Sequence, residues 1–263
     1  MRAAGRHQPD ATGGRGSSKA RAPPPYRTDP PRFTREQAGA AGKAPQSPHR
    51  QRVLTLNWSL ITHLGDAALV LPLIVAAALG LALQGTPQRR AALTWCAIAA
   101  TSLLLVAASK IAFYGWGTGV RAWDLTCFSG HTVSAWLTWP ALLMLSAPRH
   151  YRALRIGMLC AGIAIAAVVG WSRVPLGAHP VSEVIAGTAL GAAGAWLSVR
   201  ALRDQALGGR GLGVVMAVLL ALALVSQTSV ARPNSERWFQ AVGVALSGAD
   251  APVDRRAWRK GAP

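Results

Sequence analysis

Acid is what this chain has least of. Ten Asp and Glu stand against 28 Lys and Arg, and between residues 67 and 229 the acidic side chains are Asp124, Glu183 and Asp204 alone. A carboxylate four residues after a histidine, as in His179 and Glu183, is therefore a rare event here. Cysteine is nearly as sparse. Cys96, Cys127 and Cys160 show no CxxC spacing and are odd in number, which excludes a disulfide framework or a zinc knuckle. Cys127, in the loop before Ser129, reads as packing filler. Charge is missing altogether from long stretches: residues 67–88, 91–109, 132–148, 156–172, 184–199 and 211–231 contain no Lys, Arg, Asp or Glu. No internal repeat interrupts this pattern.

Runs of that length cross a bilayer. A soluble helical bundle would show a polar stripe every three or four residues, because one face of each helix must meet water. These segments are apolar all round, and mean hydropathy is positive at +0.26 although the first fifth of the chain is polar. The pattern predicts an all-α fold, a six-transmembrane-helix bundle with a disordered basic N-terminal tail. Trp58, Trp95, Trp171 and Trp196 fall near the proposed span ends, as expected of an interfacial belt, whereas Trp136 and Trp139 lie deeper and pack. Asp66 reads as a helix-start residue.

Three regions follow. Residues 1–57 are rich in Pro, Gly and Arg and cannot bury enough surface to offset ordering entropy, so they read as a disordered tail. Residues 58–231 hold the membrane domain, and 232–263 read as a loose basic tail. No apolar core of a cleavable signal peptide precedes the first run, which is expected to serve as the insertion signal. The net charge of +18 raises nucleic acid as a partner. No recognised nucleic-acid module is present, and Lys and Arg beside membrane helices fix topology and touch anionic lipid head groups, so the reading is no nucleic acid.

Polar residues at the ends of these runs are the functional candidates, because cations and histidines there are costly unless they do chemistry or bind charge. Lys110 closes the second helix, Ser129, Gly130 and His131 open the third, Ser172 and Arg173 close the fourth, and His179 to Glu183 open the fifth. With antiparallel neighbours on short loops, all four ends fall on one side of the membrane. Ser129 suits an N-cap and Gly130 lets backbone come close, so amide N–H groups and the positive helix end point at an anion. Pro180 suits the first turn of the fifth helix. His179 and Glu183 then share one helix face, close enough for the carboxylate to hold the imidazole. Lys110 and Arg173 add positive charge, and phosphate is the natural occupant. Zinc is the competing occupant, since His131, His179 and Glu183 are metal-ligand types. The His-Glu-x2-His pattern is absent and two cations oppose a bound metal, so no metal and no cofactor are expected.

The order Lys110, then Ser129-Gly130-His131, then Ser172-Arg173 with His179 and Glu183, resembles the signature of the type 2 phosphatidic acid phosphatase superfamily, in its integral-membrane lipid phosphatase branch. The likeness spans about residues 66–231. It departs in three places. Gly117 and Thr118 stand where the family's first motif carries Arg-Pro, Phe128 stands where Pro precedes Ser-Gly-His, and Glu183 stands for the usual Asp. The first departure removes a phosphate-binding arginine, for which Arg121 or the glycine amides of residues 115–119 are the replacements to test.

The resemblance implies a metal-independent phosphoric monoester or lipid pyrophosphate hydrolase. His179 is the nucleophile, Glu183 its orienter and His131 the acid and base, while Lys110, Ser129, Gly130, Ser172 and Arg173 cradle the phosphate. The substrate is a membrane lipid phosphate. The alternative is a weak or inactive member that binds lipid phosphates without turnover, which the altered first motif favours. The Arg-rich loops at 84–90, 149–155 and 200–210 place themselves in the cytoplasm and the site on the periplasmic side of a bacterial inner membrane, as a multi-pass protein.

Overall fold

The computed structural model describes residues 58–226 and 235–261. The expected disordered tail at 1–57 lies outside them. Helices α1 (Ala67–Ala82), α2 (Thr86–Trp116), α3 (Gly130–Ser146), α4 (Arg152–Ser172), α5 (Val181–Leu202), α6 (Gly209–Ser226), α7 (Ser235–Ser247) and α8 (Arg255–Arg259) follow a helical segment at 58–63. Among the described residues the extended pairing is one isolated bridge, Val120 with Leu125. The fold is all-helical.

Local chemistry sets the boundaries. Asp66 caps α1, its side chain accepting from the Ala68 N–H at 3.0 Å. Pro87 sits in the first turn of α2, where a missing N–H costs nothing. That helix does not stop at Lys110. Residues 111–116 carry it nearly two turns further, until Gly117 takes the left-handed conformation (φ 65°) and its N–H closes on the Phe113 carbonyl. Lys110 therefore lies inside the helix rather than at its end.

Helix α3 is the centre of the bundle and packs chiefly on α4 and α5, while α1 packs on α6 and α2. Leu73, Leu81, Trp95, Val133, Leu137 and Leu145 are fully buried between them. Trp95, expected at the interface, is among these, and its indole N–H donates to the Leu137 carbonyl at 3.1 Å. It lies about two and a half turns into a 31-residue helix, too deep for a belt. Trp171 and Trp196 are exposed.

Among the described residues three helices, α2, α4 and α5, are long and apolar enough to cross a membrane. Ala67–Ala82 and Gly209–Leu224 are apolar but shorter. The 16 residues of α1 rise about 24 Å, less than a hydrocarbon layer of about 30 Å. The outward faces of these helices are apolar too: Val75, Leu79, Leu104, Ile185 and Leu220 are all exposed.

Within the C-terminal residues 235–261, expected to be loose, 235–247 and 255–259 are helical. Helix α7 lies along α2, and Gly115 and Gly243 allow the approach: a Cβ on Gly115 would stand 2.7 Å from the Gly243 carbonyl oxygen. Chain continuing to α8 is tied back by Val253 N–H to the Tyr114 carbonyl and by the Trp258 indole to the Gly117 carbonyl, at 2.9 and 2.8 Å. Trp258 is buried edge-on against Phe113. An amphipathic segment with a small-residue contact and an aromatic anchor packs without long apolar runs.

Candidate active site

The C-terminal third of α2, the N-terminal ends of α3 and α5 and the segment after α4 meet. Phe128 N–H donates to the Ser109 hydroxyl at 3.3 Å, Ser129 N–H to the Glu183 carbonyl at 3.3 Å, and the Ser182 hydroxyl to the Asp124 carbonyl at 3.0 Å. Between α4 and α5 the chain folds on itself, with the Ala178 and His179 N–H groups both donating to the Arg173 carbonyl.

Glu183 is the hub. Its side chain is fully buried in the first turn of α5, where the helix dipole favours an anion. Oε1 accepts the Thr126 N–H at 3.1 Å, the Thr126 hydroxyl and the Cys127 N–H at 3.4 Å. Oε2 takes His179 Nδ1 at 2.5 Å and Arg255 Nη1 at 3.2 Å. A buried carboxylate is tolerated when its lone pairs are filled in this way. The Nδ1–H bond to a carboxylate fixes one tautomer and leaves Nε2 of His179 with its lone pair outward. Burial lowers the pKa of His179. Glu183 opposes that shift, and the charges of Lys110 and Arg173 add to it, so the imidazole is neutral near pH 7.

The other candidates sit around this pair with their hydrogen bonds spent in different ways. His131 is half-buried in the first turn of α3, within the electrostatic reach of Arg173, His179 and Lys110. Ser129 is the N-cap of α3 and is buried, but its hydroxyl accepts from the Thr132 hydroxyl at 2.9 Å instead of capping the backbone. Gly130 leaves open space beside α3, where a Cβ would meet Val106 alone, at 3.6 Å. Ser172 is buried and donates to the Val169 carbonyl at 2.6 Å. Arg173 donates from Nη1 to the Thr62 hydroxyl at 2.6 Å, while its buried Nε has no hydrogen-bond partner among the described residues. A buried donor without a partner calls for an acceptor that the described residues do not supply.

Lys110 is buried, yet its ammonium is already paired with Glu236 of α7 and lies 5.4 Å from the Phe239 ring centroid. The Tyr114 hydroxyl holds the second oxygen of Glu236 at 2.9 Å. Arg121 does not join the cluster. It lies on an exposed 3-10 turn, Arg121–Trp123, with its guanidinium 5.5 Å from the Trp258 ring centroid. Within the glycine stretch, the Gly117 N–H is engaged in closing α2.

Sequence reasoning missed Thr126, Glu236 and Arg255. The scarcity of acid was the available signal, since a buried Glu183 needs several donors and a solitary cation pair cannot supply them all. Cys127, read as filler, donates its N–H to Glu183, and its buried sulfur takes a bond from Arg255 at 3.5 Å. Burial first and the Glu183 charge second push its thiol pKa up, which favours the thiol over the reactive thiolate. Among the described residues no group of three or more His, Cys, Asp or Glu is placed to hold a metal ion.

A family model described as the PAP2 superfamily matches residues 117–207, a range that includes Ser129, His131, Ser172, Arg173, His179 and Glu183 but neither Lys110 nor the C-terminal helices. A Klebsiella pneumoniae protein described as an uncharacterized 22.5 kDa protein in the cps region is 43% identical over 142 residues, which is 54% of this chain and 68% of that relative. No solved structure matches the chain. The two histidines, the carboxylate partner and their order on converging helix ends agree with the family match, and the chain belongs to the PAP2 superfamily, a phosphatase-type family.

Proposed function

We propose that this protein is a multi-pass membrane phosphatase that hydrolyses a lipid phosphate monoester or pyrophosphate through a phosphohistidine on His179. The observation that carries the reading is the buried His179–Glu183 contact of 2.5 Å, with Nε2 left as a nucleophile beside two cationic side chains. Nε2 attacks phosphorus in line, the P–N bond forms and the bond to the leaving oxygen breaks. His131 gives that oxygen its proton and then takes one from the water that attacks the phosphoenzyme, so that P–N breaks and phosphate leaves. Glu183 holds the tautomer and offsets the charge that develops on the ring. The Gly130 N–H, the Ser129 and Ser172 side chains, Arg173 and Lys110 surround the equatorial oxygens. The chemistry is metal-independent and uses no cofactor.

A site at the rim of membrane helices suits an amphipathic phosphate whose tail stays in lipid, with the shorter α1, α3 and α6 completing six spans in a bilayer that thins to match them and anionic head groups meeting the flanking arginines. The Arg-rich loops opposite the site favour a periplasmic site in a bacterial inner membrane. Phosphate release from a panel of lipid phosphates by the purified protein, sensitive to vanadate and absent in His179→Ala, is the expected result. A second reading is favoured by the Lys110–Glu236 pair and by Gly117: the protein binds lipid phosphates without turnover. Wild type that binds lipid phosphate but releases none establishes that reading and sinks the first.

A further inference from the structure

Helix α8 brings arginines to the His179 end of the molecule. A cavity of about 500 Å³ lies between the 177–180 segment and α8, lined on one side by His179 and on the other by Arg255, Arg256 and Arg259. Arg255 is the innermost. Its Nη1 meets the same carboxylate oxygen as His179 Nδ1, its Nη2 reaches the Cys127 sulfur, and its guanidinium lies 5.6 Å from the Phe113 ring centroid. A guanidinium has five N–H donors. Glu183 and Cys127 engage two of its nitrogens, and the remaining donors belong to a group that lines the cavity.

Charge on this wall is not balanced. The one negative charge of Glu183 is shared between Arg255 and the imidazole. Arg259 is paired with Asp124 at 2.7 Å, and Asp254 turns its carboxylate back to the Ala257 N–H at 2.8 Å. The exposed Arg256 side chain has no partner among the described residues. An oxyanion is what such a wall would take, and a planar fork beside the histidine is suited to bind its oxygens in pairs.

The sequence around α2 explains why the arginine comes from here. Position 117, where the first motif lacks its arginine, is the anchor of α8: the Gly117 carbonyl takes the Trp258 indole, and Tyr114 and Phe113 hold Val253 and Trp258. We propose that Arg255 binds the substrate's phosphoryl oxygens in place of the arginine missing at position 117, so that α8 is part of the substrate site, with Arg256 extending the anion-binding wall outward. The ligand class is a tetrahedral phosphoryl group, as a lipid head group or as free phosphate. The inference rests on the phosphatase reading of His179.

The test is calorimetric titration of inorganic phosphate into the full-length chain in detergent, for wild type, Arg255→Ala, Arg255→Lys and the far-end control Arg149→Ala. Loss of one charge-assisted contact predicts phosphate binding about 10-fold or more weaker in Arg255→Ala. Arg255→Lys keeps the charge and loses the fork, and is expected about 3-fold or more weaker. Arg149→Ala is expected to match wild type. If Arg255→Ala fails to fold, the lysine variant decides. Phosphate affinity within about 2-fold of wild type in a folded Arg255 variant, far short of a lost charge-assisted contact, overturns the proposal, even if turnover falls, because Arg255 would then act only through Glu183. A wild type that binds phosphate through Arg255 yet never releases phosphate from lipid substrates sinks the catalytic reading and leaves this one standing. Parallel titrations with vesicles of phosphatidylcholine alone or with phosphatidate separate a head group from the free ion.

Discussion

Arginines are buried or half-buried at both ends of this bundle, and the two ends use them in opposite ways. At the end away from His179, Arg155 gives Nη1 to the Ala147 and Gln205 carbonyls at 3.2 and 2.8 Å and Nη2 to the Arg203 carbonyl at 3.0 Å. Those acceptors follow the C-terminal ends of α3 and α5, so Arg155 satisfies carbonyls that helices leave open. At the His179 end, Arg173 keeps a buried Nε without a partner among the described residues and Arg255 shares a carboxylate with an imidazole while lining a cavity. Burial of an arginine alone is therefore no sign of function. What its N–H groups are bonded to separates a cap from a ligand site.

The largest effect that sharpens this contrast comes from Glu183. In Glu183→Gln the side chain keeps its shape but no longer holds His179 as an anion does, and phosphate release is expected to fall about 10³-fold or more. Glu183→Ala further strands the N–H groups of Thr126 and Cys127 and the Arg255 guanidinium in the interior. That change is expected to cost about 3–5 kcal/mol of stability, read as a lowered melting temperature in detergent. A stable Glu183→Ala protein would mean that the hub is not needed for the end to hold together.

The far end breaks differently. Arg155→Ala leaves three carbonyls without a donor, a loss of about 2–4 kcal/mol, while KM and phosphate affinity stay near wild type. Thermal melting and steady-state kinetics on the same preparation separate the two ends. A selective rise in KM would show that the Arg155 end is coupled to the site.

Protonation gives a third, smaller handle. Burial depresses His179, with Lys110 and Arg173 adding to the effect and Glu183 opposing it. A histidine whose folded pKa lies below its unfolded value near 6.5 is neutral and active above that value, and activity is lost as pH falls through the folded pKa. The same sign holds for stability: this contribution is complete above the unfolded pKa and declines as pH drops below it. The acid limb of kcat/KM is expected below about pH 6.5 and should move lower still in the residual activity of Glu183→Gln, because the opposing carboxylate charge is gone. An upward move would contradict the assigned field around His179.

How much of this was readable follows from where each residue sits. The α3, α4 and α5 ends are legible because uncharged runs define helices, short loops force antiparallel neighbours, and rare polar residues fall at the run ends. Glu183 is legible for the same reason, being one acid in a long stretch without others. Lys110 was displaced because residues 111–116 are as helical as those before them and only Gly117 stops the turn. Arg255 was invisible. It lies 72 positions from Glu183, in a segment whose charged composition resembles a solvated tail, and what seats it is an indole and a pair of glycines rather than an apolar run.

The smallest expected effect concerns Glu236, whose pairing with Lys110 is the counterpart, on α7, of the Arg255–Glu183 pair made from α8. Burial works against the charge of this carboxylate, but Lys110 and the Tyr114 hydroxyl outweigh it and hold its pKa below the ordinary range. Its side chain is 41% exposed against 6% for Lys110, so the pair has the modest strength of a partly solvated one. If the Lys110 ammonium is one of the groups facing a substrate phosphate, Glu236 competes for it. Glu236→Gln then releases the cation, and KM is expected to fall about 2–5-fold with kcat little changed, at the cost of a slightly lower melting temperature. Lys110→Met would raise KM whether the lysine binds phosphate or merely positions α7, so the informative variant is the one that frees Lys110 rather than removes it. An unchanged KM in Glu236→Gln would assign Lys110 to holding the C-terminal helices in place, and would leave Arg173 and Arg255 as the cations that meet the phosphate.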